Sequence, residues 1–95
     1  MGIDKLYAIL SKKYKHIMYD HPVFKGRKQI IVRVKNKEYS IMNKNGSLEY
    51  DIAEFCKCDV IELGDNLSGE TILKMLEKLT EATNGIDTNK ARSYI

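Results

Sequence analysis

Ile3, Leu6, Leu10, Tyr14 and Ile17 recur at intervals of three and four residues, the spacing that places side chains on one face of a helix. Lys5, Lys12 and His16 fall on the opposite side. The pattern predicts an amphipathic helix from about Ile3, with Gly2 at its cap, running to Tyr14 or a little beyond. Pro22 disfavours helical geometry at His21, so Asp20 to Lys28 reads as a loop punctuated by Gly26.

The hydrophobic period then changes to two. Lys28 to Lys35 is rich in β-branched residues and bounded by turn signals, which predicts a strand. Glu38 to Met42 and Ser47 to Ile52 read as two more, joined by turns at Asn36-Lys37 and at Asn45-Gly46. If both turns have two residues, Val34 faces Tyr39, Val32 faces Ile41, Ile41 faces Tyr50 and Tyr39 faces Ile52. Side chains alternate along a strand, so Ile30, Val32, Val34, Tyr39, Ile41, Tyr50 and Ile52 share one face. The other face carries Gln29, Ile31, Arg33, Lys35, Glu38, Ser40, Met42, Glu49 and Asp51. It is mostly polar, and mixed in sign.

Asp51-Ile52-Ala53-Glu54 has the form of a capping box and competes with the end of the third strand as the start of a short helix through Cys56. Asp59 to Leu63 predicts a short strand ended by Gly64. Ser68 reads as the N-cap of a helix over residues 69–84, with Glu70 favourable in its first turn and Asn84-Gly85 as its stop. Its buried stripe is Ile72, Leu73, Leu76 and Leu79. The predicted fold is α+β: an N-terminal helix, a three-stranded antiparallel meander, a linking segment with a short strand, and a C-terminal helix. Both helices pack on one sheet face.

Composition agrees with a single globular domain over residues 1–95. The chain is 43% hydrophobic and 31% charged, and its length allows one modest core. No apolar run reaches the length of a membrane span, and the first residues lack the apolar stretch of a signal peptide. Cys56 and Cys58, with no secretion signal, fit a reducing cytoplasm.

Charge adds the more useful feature. The net +3 is a sum of opposites: residues 1–45 carry +8 and residues 46–95 carry −5. Such a split marks a nucleic-acid patch, a partner surface or self-association, or else two halves that face each other in the fold. The basic residues Lys5, Lys12, Lys13, Lys15, Lys25, Arg27 and Lys28 cluster in the helix and the following loop, where Tyr19 and Phe24 would supply stacking for bases. The acidic residues Glu49, Asp51, Glu54, Asp59, Glu62 and Asp65 follow the third strand and the linking segment.

Catalytic chemistry is poorly supported. The Cys-x-Cys spacing is tighter than structural zinc pairs use, and His16 and His21 lie far from it. No Gly-rich phosphate loop and no Ser/His/Asp order is present. The acidic residues lack the alternation and turn glycine of a calcium loop. No metal and no cofactor is expected.

Two resemblances carry further expectations. The run His16-x-x-Tyr19-x-His21-Pro22-x-x-x-Gly26 resembles part of the HicA-type mRNA-cleaving toxins, small α-β-β-β-α proteins. That resemblance would make His16 a general base acting on an RNA 2′-hydroxyl. The family's Gly-Ser before the histidine is replaced here by Tyr14-Lys15. The hairpin Gln29-x-x-x-Arg33-Val34-x-Asn36, followed by Glu38-Tyr39-x-Ile41, is similar to a small phage anti-CRISPR protein that inhibits an RNA-guided DNA nuclease. It implies a helix, a three-stranded meander and C-terminal helices, and a function of presenting carboxylates in place of DNA. Only Glu38 stands at a matching acidic position.

The expectation is therefore a small non-enzymatic binding protein, an inhibitor made by a phage or mobile element. Its partner would be a host protein or protein–nucleic-acid complex in the cytoplasm, with no membrane involved. The alternatives are a nucleic-acid-binding module using the basic helix and loop, an RNA-cleaving toxin, and self-association into a homodimer through the opposed charges.

Overall fold

The structure, a computed structural model, describes residues 1–20, 27–34, 36–44 and 48–80. Helix α1 spans Ile3–Lys13 and strands β1 to β5 span Ile17–Asp20, Gln29–Val34, Lys37–Asn43, Glu49–Cys56 and Asp59–Ser68. A second helix, α2, covers residues 69–80. The α+β class holds. The strands form one antiparallel sheet in the order β1-β2-β3-β4-β5, so the predicted three-stranded meander is corrected to five strands.

Helix α1 forms where its stripe predicts and buries Ile3, Leu6 and Leu10. Asp4 in its first turn and Lys12 and Lys13 in its last turn oppose the helix dipole favourably. It ends at Tyr14, whose backbone turns extended while its N–H still donates to the Leu10 carbonyl. Ile17 continued the helical spacing in the sequence, but here it begins β1. Pairing Ile17 with Val32 and Tyr19 with Ile30 satisfies the backbone of this segment in the sheet, and Ile17 and Tyr19 then alternate with exposed Met18.

The predicted inner face is recovered in full, with a register two residues away from the one expected. Val32 pairs with Tyr39 and Ile30 with Ile41. Ile41 pairs with Ile52 and Asn43 with Tyr50. A shift of two keeps every side chain on its face, whereas a shift of one would have reversed them all. The Asn45-Gly46 turn, Lys35 and the Asn84-Gly85 stop lie outside the described residues.

The capping box over Asp51 to Glu54 is a strand instead. Tyr50 and Ile52 alternate with Asp51 and Ala53, and pairing with β3 runs on to Phe55. Sheet hydrogen bonds and burial of two large side chains outweigh a local helix start. The short strand after it is also longer than predicted. β5 has ten residues and passes through Gly64 by means of bulges opposite Tyr50 to Ala53. A Cβ at Gly64 would lie 2.5 Å from Leu67 Cδ1, so a larger residue at the bulge would have to displace the Leu67 side chain. Ser68 caps α2 as predicted, its Oγ accepting the Thr71 N–H at 3.2 Å.

Both helices cover the same sheet face. Leu6, Leu10, Ile72 and Leu76 pack with Ile30, Val32, Tyr39, Ile41, Tyr50 and Ile52 in one core. Tyr50 is fully buried and its hydroxyl donates to the Met1 carbonyl at 2.5 Å. Among the described residues no helix lies on the other face, and none is long and apolar enough to cross a membrane.

Candidate functional site

The charge split resolves largely into contacts inside the molecule. Arg27 meets Asp51 at 3.1 Å, Lys44 meets Asp65 at 3.5 Å, Lys37 meets Glu54 at 3.9 Å and Lys13 meets Glu77 at 3.8 Å. Each pair joins the basic first half to the acidic second half. The arrangement follows from the meander: β4 lies beside β3, and α2 returns beside α1, so late carboxylates come to rest next to early cations.

The six acidic residues therefore do not act alike. Asp51 accepts from Arg27 and from the Asn66 N–H. Asp65 is held below the ordinary carboxylate value, first by a side-chain hydrogen bond with Asp51 and then, against the opposing effect of burial, by the Lys44 ammonium. Glu54 is buried on the helix-covered face, opposite Tyr39. Glu49, exposed at the start of β4, also has an interaction partner. Asp59 and Glu62 are exposed on β5 and have no ion-pair partner among the described residues.

The seven basic residues are likewise dispersed. Lys5 and Lys12 are exposed on α1, Lys13 is paired, and Lys28 sits 3.5 Å from Asp4. Arg27 is half-buried, donating to the Asn43 carbonyl as well as to Asp51. Lys15 lies in the bend before β1, against the uncovered sheet face. Lys25 lies outside the described residues, as do His21 and Phe24. Tyr19 stacks on Tyr7, with ring centroids 4.6 Å apart, and its hydroxyl donates to Asp4 at 2.5 Å. That aromatic is committed to holding α1 against β1.

His16 is exposed beyond the end of α1. Its backbone carbonyl accepts the Arg33 N–H at 2.8 Å, and its imidazole has no hydrogen-bond partner among the described residues. A general base needs an oriented partner. Cys56 and Cys58 are free thiols flanking the β4–β5 turn. No group of three metal-ligating side chains occurs among the described residues.

Two surfaces stand out instead. The first is the outer edge of β5. Its first half runs Asp59-Val60-Ile61-Glu62, with Val60 65% and Ile61 48% exposed. A sheet edge offers unpaired backbone N–H and C=O groups, and soluble proteins usually blunt it with charge, proline or a bulge. Here the bulge with Asn66 in the left-handed region (φ 57°) disrupts the far half only. The near half is straight, apolar and flanked by carboxylates. Sequence reasoning placed a strand here but did not identify it as the sheet's edge. The β-branched Val60-Ile61 pair was the available signal, and position in the sheet is set by pairing alone.

The second surface is the uncovered sheet face. It carries Met18, Ile31, Met42, Ala53, Phe55 and Val60 among polar neighbours, and it holds two shallow cavities. Compared with known proteins, the chain matches no family model, no curated protein and no solved structure.

Proposed function

We propose that this chain is a non-enzymatic binding protein that docks a partner by strand addition along β5. The observation that carries this is the exposed, apolar near half of an edge strand, Asp59 to Glu62. In strand addition, main-chain hydrogen bonds give affinity and alternate side chains give selectivity. Asp59 and Glu62 favour a partner segment with Lys or Arg beside its apolar residues. Charge complementarity of this kind mainly raises the association rate and rejects wrong partners. The hairpin's resemblance to phage anti-CRISPR proteins makes a host defence component, protein or protein–nucleic-acid complex, the first partner class to test. Asp51, Glu54 and Asp65 are engaged internally, so mimicry of a DNA backbone would rest on few carboxylates.

The test compares wild type with an Asp59→Lys, Ile61→Lys double variant in capture of partners from bacterial lysate. Both positions are exposed, so the fold is retained, and lysine on an edge opposes strand addition. Loss of a captured partner in the variant supports the proposal. Equal capture by both proteins overturns it.

A further inference from the structure

His16 and Arg33 stand opposite each other one step before β1. The His16 carbonyl accepts the Arg33 N–H at 2.8 Å, and Ile17 pairs with Val32 next to them. Alternation then puts both side chains on the uncovered sheet face, beside the Met18–Ile31 pair. Together with Lys15 these residues line a shallow cavity of about 240 Å³. Lys15 is exposed and has no ion-pair partner among the described residues. The His16 imidazole has no hydrogen-bond partner among them either. Arg33 gives Glu38 its Nε–H at 3.2 Å and one Nη2–H at 2.9 Å. A guanidinium carries five N–H donors, so three remain, and the bonds to Glu38 fix the plane of the group that holds them. Met18 and Ile31 add an apolar side to the cavity, Met18 being 49% exposed.

We propose that this cavity binds the phosphate group of a small phosphorylated molecule, whose apolar part rests on Met18 and Ile31. The donor set matches a tetrahedral oxyanion. Arginine offers N–H groups in a fixed fork, lysine a point charge, and imidazole a further N–H. Sites for drug-sized ligands run from roughly 300 to 1,000 Å³, so this one takes a smaller molecule. The strand pairings exclude a longer polyanion. The row through Arg33 continues to Glu38, and the row through Met18 and Ile31 ends at Glu62. A nucleic-acid backbone laid across the sheet would bring its next phosphates against these carboxylates. The cavity lies at the β1–β2 end of the sheet, away from the β5 edge, so it stands independently of strand addition.

The test titrates the full chain with phenyl phosphate, a monoester with one apolar ring, and follows amide and side-chain NMR shifts. Binding is expected with a Kd on the order of 1 mM or tighter, and with the largest shifts at His16, Met18, Ile31 and Arg33. Inorganic phosphate is expected to bind more weakly at the same residues, and phenol not at all. Lys15→Gln and Arg33→Gln are each expected to weaken binding about fivefold or more. Both positions are exposed, and circular dichroism confirms that each variant is folded. Lys12→Gln alters an exposed lysine of α1 that does not line the cavity, and it should leave binding unchanged. Four results overturn the proposal. The first is no shift at the named residues up to about 10 mM phenyl phosphate. The second is a loss in Lys12→Gln equal to that in Lys15→Gln. The third is inorganic phosphate or phenol binding as tightly as the ester. The fourth is a short single-stranded RNA that binds more tightly, with the salt dependence of several phosphate contacts.

Discussion

Arg27 holds Asp51 at 3.1 Å and at the same time donates to the Asn43 carbonyl at 2.8 Å. One guanidinium thus ties the start of β2 to the end of β3 and the middle of β4, and it does so between the positive and negative halves of the chain. Both side chains are only about a quarter exposed (24% and 27%), so the pair is partly shielded from water.

Arg27→Met is therefore expected to lower stability by about 1–2 kcal/mol, the scale of hydrogen bonds to a charged group discounted for partial exposure. Asp51→Ala should cost a similar amount, since it also strands the Asn66 N–H. The double variant should cost less than the sum of the two. Urea unfolding of the four proteins gives the cycle, and strict additivity would mean that the pair contributes nothing.

Tyr50→Phe removes the hydroxyl that donates to the Met1 carbonyl and keeps the ring in the core. The expected loss is about 0.5–1.5 kcal/mol. Amide exchange should quicken across the first turn of α1, which the bond ties to β4. An unchanged exchange pattern would show that this tie is not made in solution.

Lys57 sits in the left-handed region, with φ 58°, at the β4–β5 turn. A side chain there costs about 1 kcal/mol that glycine avoids. Lys57→Gly is expected to raise stability slightly, and Lys57→Val to lower it by about 1 kcal/mol or more because β-branched residues tolerate this region worst. Thermal unfolding of both variants checks the ordering.

The Asp4, Tyr19 and Lys28 cluster predicts a pH dependence with a definite sign. The Tyr19 hydroxyl, and after it the Lys28 ammonium, hold Asp4 below its ordinary value of 3.8. The stability this adds is present above that value and is lost as pH falls through the lower folded one. Burial, followed by the bond to Asp4, pushes Tyr19 above 10.0, and burial does the same to Tyr50. Their contribution is present below 10.0 and is lost as pH rises through the folded values. Phenolate absorbance should therefore show late-titrating tyrosines that become ordinary on unfolding. Tyr19→Phe should remove one of them and flatten the acid limb of the stability curve.

Much of the inner architecture was legible in the order of residues. Helical spacing named Ile3, Leu6 and Leu10, and alternation named Ile30, Val32, Tyr39, Ile41, Tyr50 and Ile52. These are the residues that form the core. The register came out two places off because Val34 pairs with Lys37 rather than Tyr39, and Ile41 with Ile52 rather than Tyr50; a shift of two leaves parity, and so the face of each residue, unchanged. Ile17 fell on the helical stripe, and the Asp51-to-Glu54 box stood open between a helix start and the end of a strand; at both places the local signal for helix lost to hydrogen bonds with a neighbouring strand.

The candidate surfaces were less legible. Sequence alone determined that the charges were split, and it correctly suggested that part of the split would be paired internally. It did not distinguish Asp51, Glu54 and Asp65, which meet cations, from Asp59 and Glu62, which have no ion-pair partner among the described residues. Only the sheet order made β5 an edge and brought Lys15 and Glu62 onto one uncovered face from opposite sides. Periodicity is a property of each segment by itself, whereas edges, ion pairs and shared faces arise from which segments come to lie side by side.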